Sequence, residues 1–207
     1  MTRKIRDRYA RMAPVYDILT RKALAKGHAA IVSLCHERCF RHVLDIGCGT
    51  GHLARSLYTA GIDVVGVDVS RSMLNLAHKK LPSTVRLVRS GVPVPFESNS
   101  FDASILSMVL HESATDTRVL MLDALRVAPY CIVLEWRMPE RNLDLPLQTL
   151  VHAVERLAGR AHYAAFREFA SYGWLRGVAT EAGAIIESEK TLYAGTVTLA
   201  LVRRKSR

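Results

Sequence analysis

The sequence predicts an α/β fold: a doubly wound, mostly parallel seven-stranded sheet in a three-layer α/β/α sandwich. Two observations carry this. From residue 43 to residue 135, short apolar runs alternate with helical stretches, the pattern of a parallel sheet with helices on both faces. The first run, Val43 to Ile46, ends in a loop with Gly47, Gly49 and Gly51, followed by a helical stretch from Leu53 to Tyr58. Strand, tight glycine turn and helix make the nucleotide-binding corner of such sheets.

The elements follow in order. A helix over Ala23–Phe40 precedes strand 43–47, helix 52–60, strand 63–68, helix 71–80 and strand 84–89. Strand 101–108, helix 116–127 and strand 130–135 continue the alternation. A helix from Ala170 to Ala182 leads to two last runs, 185–190 and 196–202, joined by Tyr193-Ala194-Gly195. They read as a terminal hairpin, antiparallel at least in part. Residues 1–20 and 137–170 lie outside the alternation. A site opens at the carboxyl ends of parallel strands, so irregular segments there are natural lids. The 207 residues fit a single domain. It divides into an N-terminal helical lid (1–42), a cofactor-binding core (43–136), a substrate-lid insertion (137–170) and a final helix with hairpin (171–207).

The glycine spacing selects among nucleotides. A dinucleotide fingerprint would place its third glycine at residue 52, which is His52. A phosphate-binding P-loop would need Gly-Lys-Ser/Thr, which does not follow. Asp45, two residues before Gly47, would repel a pyrophosphate and suits a ligand bearing an ammonium group. About 20 residues beyond the loop, the β-branched run Val64-Val65-Gly66-Val67 ends in Asp68. An ionised carboxylate there can accept hydrogen bonds from both hydroxyls of a ribose.

Asp45-Ile46-Gly47-Cys48-Gly49-Thr50-Gly51 resembles motif I of the class I S-adenosylmethionine-dependent methyltransferases, (D/E)-x-G-x-G-x-G. Asp68-Val69-Ser70-Arg71-Ser72-Met73-Leu74 resembles the family's motif II, with Ser70 as helix N-cap. Pro95-Phe96 and Asn99-Ser100-Phe101-Asp102 fit the "GDAEDLPFPDNSFD" stretch of small-molecule members. Ser90 stands where that stretch carries the aspartate that caps the adenine amino group. A serine can accept that hydrogen bond without charge assistance, or the backbone of Gly91 and Val92 can take it over. Arg8-Tyr9-Ala10-Arg11-Met12-Ala13-Pro14-Val15-Tyr16-Asp17 resembles the entry helix of ubiquinone/menaquinone-type and phospholipid-type methyltransferases.

The resemblance implies S-adenosyl-L-methionine as cofactor, held by Asp45, Gly47, Cys48, Gly49, Gly51, Asp68, Val69, Met73, Ser90, Gly91, Val92, Ser107, Met108 and Tyr16. It implies seven strands, the last inserted antiparallel beside the fifth. Methyl transfer is an in-line displacement that needs alignment and exclusion of water. His111, just after the fourth strand, is the candidate catalytic base. Tyr9, Arg137, His162 and Tyr163 are candidate substrate contacts. A quinone-like or lipid-like acceptor is expected from the entry helix. A nucleic-acid methyltransferase is second, since Ser107-Met108-Val109-Leu110 stands where amino-group nucleic-acid enzymes carry Asn-Pro-Pro-Tyr. A cofactor-binding regulator without catalysis is the rival from another class.

Composition bounds the rest. The formal net charge is +10, and residues 1–42 hold ten Lys/Arg against three acids. That field favours an anionic substrate, an anionic membrane surface or nucleic acid. No RNA-binding module or zinc knuckle raises the last. There is no 18-residue apolar run and no apolar segment behind the basic start, so neither a transmembrane helix nor a signal peptide is expected. Cys35, Cys39, Cys48 and Cys131 form no disulfide framework, which points to a cytoplasmic protein with reduced thiols. Cys35 and Cys39 with His42 could suggest zinc. Their segment reads instead as a helix face with Ile31 and Leu34, and no metal is expected.

Overall fold

The computed structural model describes residues 23–113, 116–137, 149, 152, 155, 156 and 159–205. Its seven strands form one sheet in the order β3-β2-β1-β4-β5-β7-β6. The chain falls into two compact units, Met1–Pro95 and Phe96–Arg207.

The first unit holds helix α1 (Ala25–Glu37), strand β1 (His42–Ile46), α2 (His52–Thr59), β2 (Asp63–Asp68), α3 (Arg71–Lys80) and β3 (Arg86–Arg89). β1 and β2 are parallel, with His42 opposite Asp63 and Ile46 opposite Val67. β2 and β3 are parallel as well, with Asp68 opposite Arg89. This register brings Ile46 and Asp68 out at the same carboxyl edge. The strands are continuous apolar runs because both faces are covered: Val43, Leu44, Val64 and Val67 are each at most 2% exposed. Ser70 caps α3 by accepting from Met73 N at 3.2 Å, worth about 1 kcal/mol. Cys35 is fully buried on α1 beside Ile31, as its helical spacing predicts.

The second unit holds β4 (Ala103–Ser107), α4 (Thr117–Val127), β5 (Tyr130–Trp136), α5 (Arg160–Ser171), α6 (Trp174–Glu181), β6 (Ala184–Leu192) and β7 (Val197–Arg204). On α4, Leu120, Met121, Ala124 and Leu125 are buried; their spacing puts them on one helix face, which packs on β4 and β5. Each large apolar side chain so buried contributes about 1.5–3 kcal/mol. Arg126 fastens the preceding loop, donating from Nη1 to Phe96 O at 2.6 Å and from Nε to Asp123 Oδ1 at 2.7 Å. β4 and β5 are parallel. β7 runs antiparallel to β5 and to β6, with a bulge between Ile186 and Ser188. The last strand therefore sits antiparallel beside the fifth, as expected.

Several element bounds shift by one to three residues from the sequence reading, and the larger difference falls near residue 173. The single helix expected over 170–182 is two helices, α5 and α6, so the end of the 137–170 segment is helical. The break falls at Gly173, whose φ of +83° is left-handed. Gly177 then allows the close approach: a Cβ on it would lie 1.4 Å from the carbonyl oxygen of Tyr172. No side chain can give way there, because the obstacle is backbone. Gly177→Ala is expected to cost about 3 kcal/mol or more and to lower the thermal midpoint by roughly 10 °C. Calorimetric unfolding checks this, and a midpoint within about 2 °C of wild type contradicts the close packing.

Candidate functional site

The first unit builds a cradle at the carboxyl edge of β1 and β2. Gly47 N and Cys48 N both donate to Val67 O, at 2.7 and 3.0 Å, so the loop is pinned to β2 as it leaves β1. Gly51 opens α2 with φ +81°. A Cβ there would also lie 2.9 Å from Leu81 Cδ1 and 3.1 Å from Ala77 Cβ, so conformation and packing both demand glycine. A Cβ on Gly49 would meet nothing within 4 Å, so this turn of the loop presents bare backbone to open space. Asp68 spans the site: Oδ2 accepts from Gly49 N at 2.9 Å and Oδ1 from Ser70 N at 2.7 Å. One carboxylate thus fixes the glycine loop and the start of α3 together.

Asp45 is 1% exposed, and its Oδ2 has no hydrogen-bond partner among the described residues. Burial, and then the charge of Asp68, push its pKa up to about 7. An unpaired buried carboxylate is costly, and a cationic group with N–H donors is what would satisfy it. The ammonium of S-adenosylmethionine has that chemistry, so these residues fit the cofactor. Cys48 is buried between the same charges. Burial, Asp45 and Asp68 hold its thiol well above the usual range, so it lines the loop as a neutral group.

The other expected cofactor residues of this unit divide. Ser90 N donates to Asp68 O at 3.1 Å, and a Cβ on Gly91 would lie 3.3 Å from Val69 Cγ1. The strand ends thus bring Asp68, Val69, Ser90 and Gly91 together. Ser90 Oγ donates to Gly91 O at 3.0 Å, and Val69 is 43% exposed. Val92 follows, half-buried. Met73 is 3% exposed and belongs to the buried face of α3. Tyr9 and Tyr16 lie outside the described residues.

The second unit carries a polar cluster. Ser107 Oγ, at the end of β4, is buried without a partner among the described residues. Met108 follows in a left-handed conformation, φ +57°, held by its N–H on Leu134 O at 2.8 Å. Glu135, on β5 and fully buried, accepts from Leu110 N at 3.0 Å, Trp136 N at 2.8 Å and His111 Nδ1 at 2.7 Å. Burial would push the His111 pKa down, but Glu135 opposes it, and Glu112 and Glu155 add to the lift, to about 9. The surrounding carboxylates thus favour the protonated ring, which must give up that proton before it can act as a base or a ligand.

His162 joins this cluster. Its Nε2 lies 2.5 Å from Glu155 Oε2, and its ring centroid is 5.6 Å from that of His111. Tyr163 points into a neighbouring aromatic group, bonding His152 at 3.1 Å and stacking on Phe166. Arg137 is anchored through its backbone N–H to Thr196 O at 3.1 Å. Glu155 is the residue that sequence reasoning missed. It is 4% exposed and also accepts from Trp136 Nε1 at 3.0 Å. The available signal was an acid seven residues before His162 in the segment already assigned to the lid.

The fold is shared with solved S-adenosylmethionine-dependent methyltransferases, and the comparisons find such proteins similar to this chain. Residues 44–128 match the methyltransferase domain family. A demethylmenaquinone methyltransferase of Paenarthrobacter aurescens is 31% identical over 121 residues, covering 56% of this chain and 47% of that one. An uncharacterized methyltransferase of Mycobacterium tuberculosis is 41% identical over 71 residues, covering 34% of this chain and 29% of that one. The chain thus spans half or less of the length of these two relatives. The crystal structure of magnesium protoporphyrin IX methyltransferase from Synechocystis, with bound SAH, shares the fold. The TM-score is 0.62 at 17% identity, covering 87% of this chain and 83% of that one. Among the described residues, no helix is long and apolar enough to cross a membrane.

Proposed function

We propose that this protein transfers a methyl group from S-adenosylmethionine to a quinone-like small molecule. The observation that carries the cofactor half is the buried, unpartnered Asp45 oxygen beside a bare-backbone glycine loop. Asp45 receives the ammonium of the cofactor. Asp68, already aimed by two backbone N–H groups, accepts from the ribose hydroxyls, since a carboxylate offers about four acceptor positions. Ser90, Gly91 and Val92 take the adenine side, Ser90 by hydroxyl or backbone. Gly47, Cys48 and Gly51 shape the loop, with Val69, Ser107, Met108 and Tyr16 as further neighbours. Met73 acts from below, by packing α3. The bound cofactor supplies an electrophilic methyl on a sulfonium.

The acceptor half is supported by the demethylmenaquinone methyltransferase relatives and by the N-terminal residues that resemble quinone and phospholipid enzymes. Tyr9, Arg137, His162 and Tyr163 remain the proposed acceptor contacts. The basic N-terminal segment would draw an anionic substrate or membrane surface toward the site. A cytoplasmic setting suits the four unpaired cysteines.

The test supplies methyl-labelled S-adenosylmethionine and a reduced demethylated naphthoquinone. Label is expected in the quinone, and at least about 100-fold less in Asp68→Ala, the loss expected for two charge-assisted hydrogen bonds. Cofactor binding without label transfer would overturn the acceptor assignment and leave the cofactor site standing.

A further inference from the structure

We propose that His111, Glu155 and His162 form a binding site for one divalent first-row transition ion, with Zn²⁺ as the reference ion. One ligand atom from each of the three lies within 4.8 Å of the others. A tetrahedral ion with bonds of about 2.0–2.1 Å spaces its donors about 3.4 Å apart, so small side-chain movements close the set. His111 Nε2 stands 3.8 Å from Glu155 Oε1, too far for a hydrogen bond.

The orientation of the rings is the stronger argument. Both histidines turn Nε2 toward the same carboxylate, Glu155. Both turn Nδ1 toward a different one: His111 toward Glu135 at 2.7 Å, His162 toward Glu112 at 3.7 Å. Metal-bound histidines have this arrangement, in which a carboxylate behind the ring fixes its direction and raises its basicity. Trp136 Nε1 steadies Glu155 from the side at 3.0 Å. The cluster sets three carboxylates against two imidazoles, with Glu135 and Glu155 buried, and a divalent cation offsets that excess of acid. Two imidazoles and one carboxylate suit zinc, iron, nickel or manganese rather than calcium or magnesium. Three protein ligands leave a position open, as in sites that act on a bound oxygen. The three ligands are none of the residues assigned to the cofactor, so the site is tested without it.

The experiment titrates the chelator-stripped full chain with Co²⁺ and then Zn²⁺, without S-adenosylmethionine. One equivalent of Co²⁺ is expected to give visible ligand-field bands and paramagnetically shifted imidazole N–H resonances, and Zn²⁺ should abolish both. His162→Ala and Glu155→Gln, checked for folding by circular dichroism, should each weaken binding by at least about 100-fold. Cys39→Ser, at an exposed thiol, should leave it unchanged. Absence of saturable Co²⁺ binding to the wild type overturns the proposal. So does binding that shows no shifted imidazole resonances, or binding that survives in both folded variants.

Discussion

Below about pH 7, affinity for S-adenosylmethionine is expected to fall by about tenfold per pH unit, and in Asp45→Asn to lose this dependence. The reason is the state of Asp45. Buried beside Asp68, its carboxyl titrates near pH 7 instead of 3.8. The cofactor's ammonium pairs with the ionised form, so acid must be displaced before the pair can form. Below the shifted pKa, binding should release up to one proton, which calorimetry in buffers of different ionisation enthalpy counts directly. The sign for stability is the reverse. A carboxyl whose folded pKa is raised binds its proton more tightly in the folded state. The protein without ligand therefore loses stability as pH rises from 3.8 toward 7, on the order of a few kcal/mol. Asp45→Asn should then be more stable than wild type at pH 8 while binding the cofactor far more weakly. A flat pH profile, or a variant less stable at pH 8, contradicts this role.

Asp68→Ala is expected to weaken cofactor binding by at least about 100-fold. The substitution removes hydroxyl acceptors and also the two backbone bonds to Gly49 and Ser70. Hydrogen bonds to a charged group are each worth about 1.5–3 kcal/mol, so the loss of two reaches that factor. A second effect separates this from simple damage. The charge of Asp68 helps to hold the Asp45 pKa up, so its removal should move the acid limb of residual binding to lower pH. Equilibrium titrations from pH 5.5 to 8 measure both. Affinity within about threefold of wild type, under 1 kcal/mol, would place the ribose elsewhere.

The cradle was legible because each of its parts is local. Asp45, the three glycines, Asp68 and the Ser70 cap lie on or directly after strands whose apolar runs announce themselves, and parallel pairing then forces them to one edge. The strand and helix order was legible for the same reason. The split between α5 and α6 was not, because the left-handed turn at Gly173 and the close approach of Gly177 to Tyr172 lie within a stretch whose helical signal continues across them. The His–Glu cluster was only half legible. His111 and Glu135 stand at strand ends, where function is sought. Glu155 comes from a segment without periodic signal and reaches His111 only through the fold. The upward pull on the His111 pKa was hidden too, since it comes from carboxylates brought from three places in the chain.

The central claim is that the glycine loop, Asp45 and Asp68 hold S-adenosylmethionine. A calorimetric titration of the purified chain with the cofactor and with its demethylated product tests it most directly. The account predicts saturable one-to-one binding of both. Absence of binding by either, in a chain shown to be folded, would contradict it.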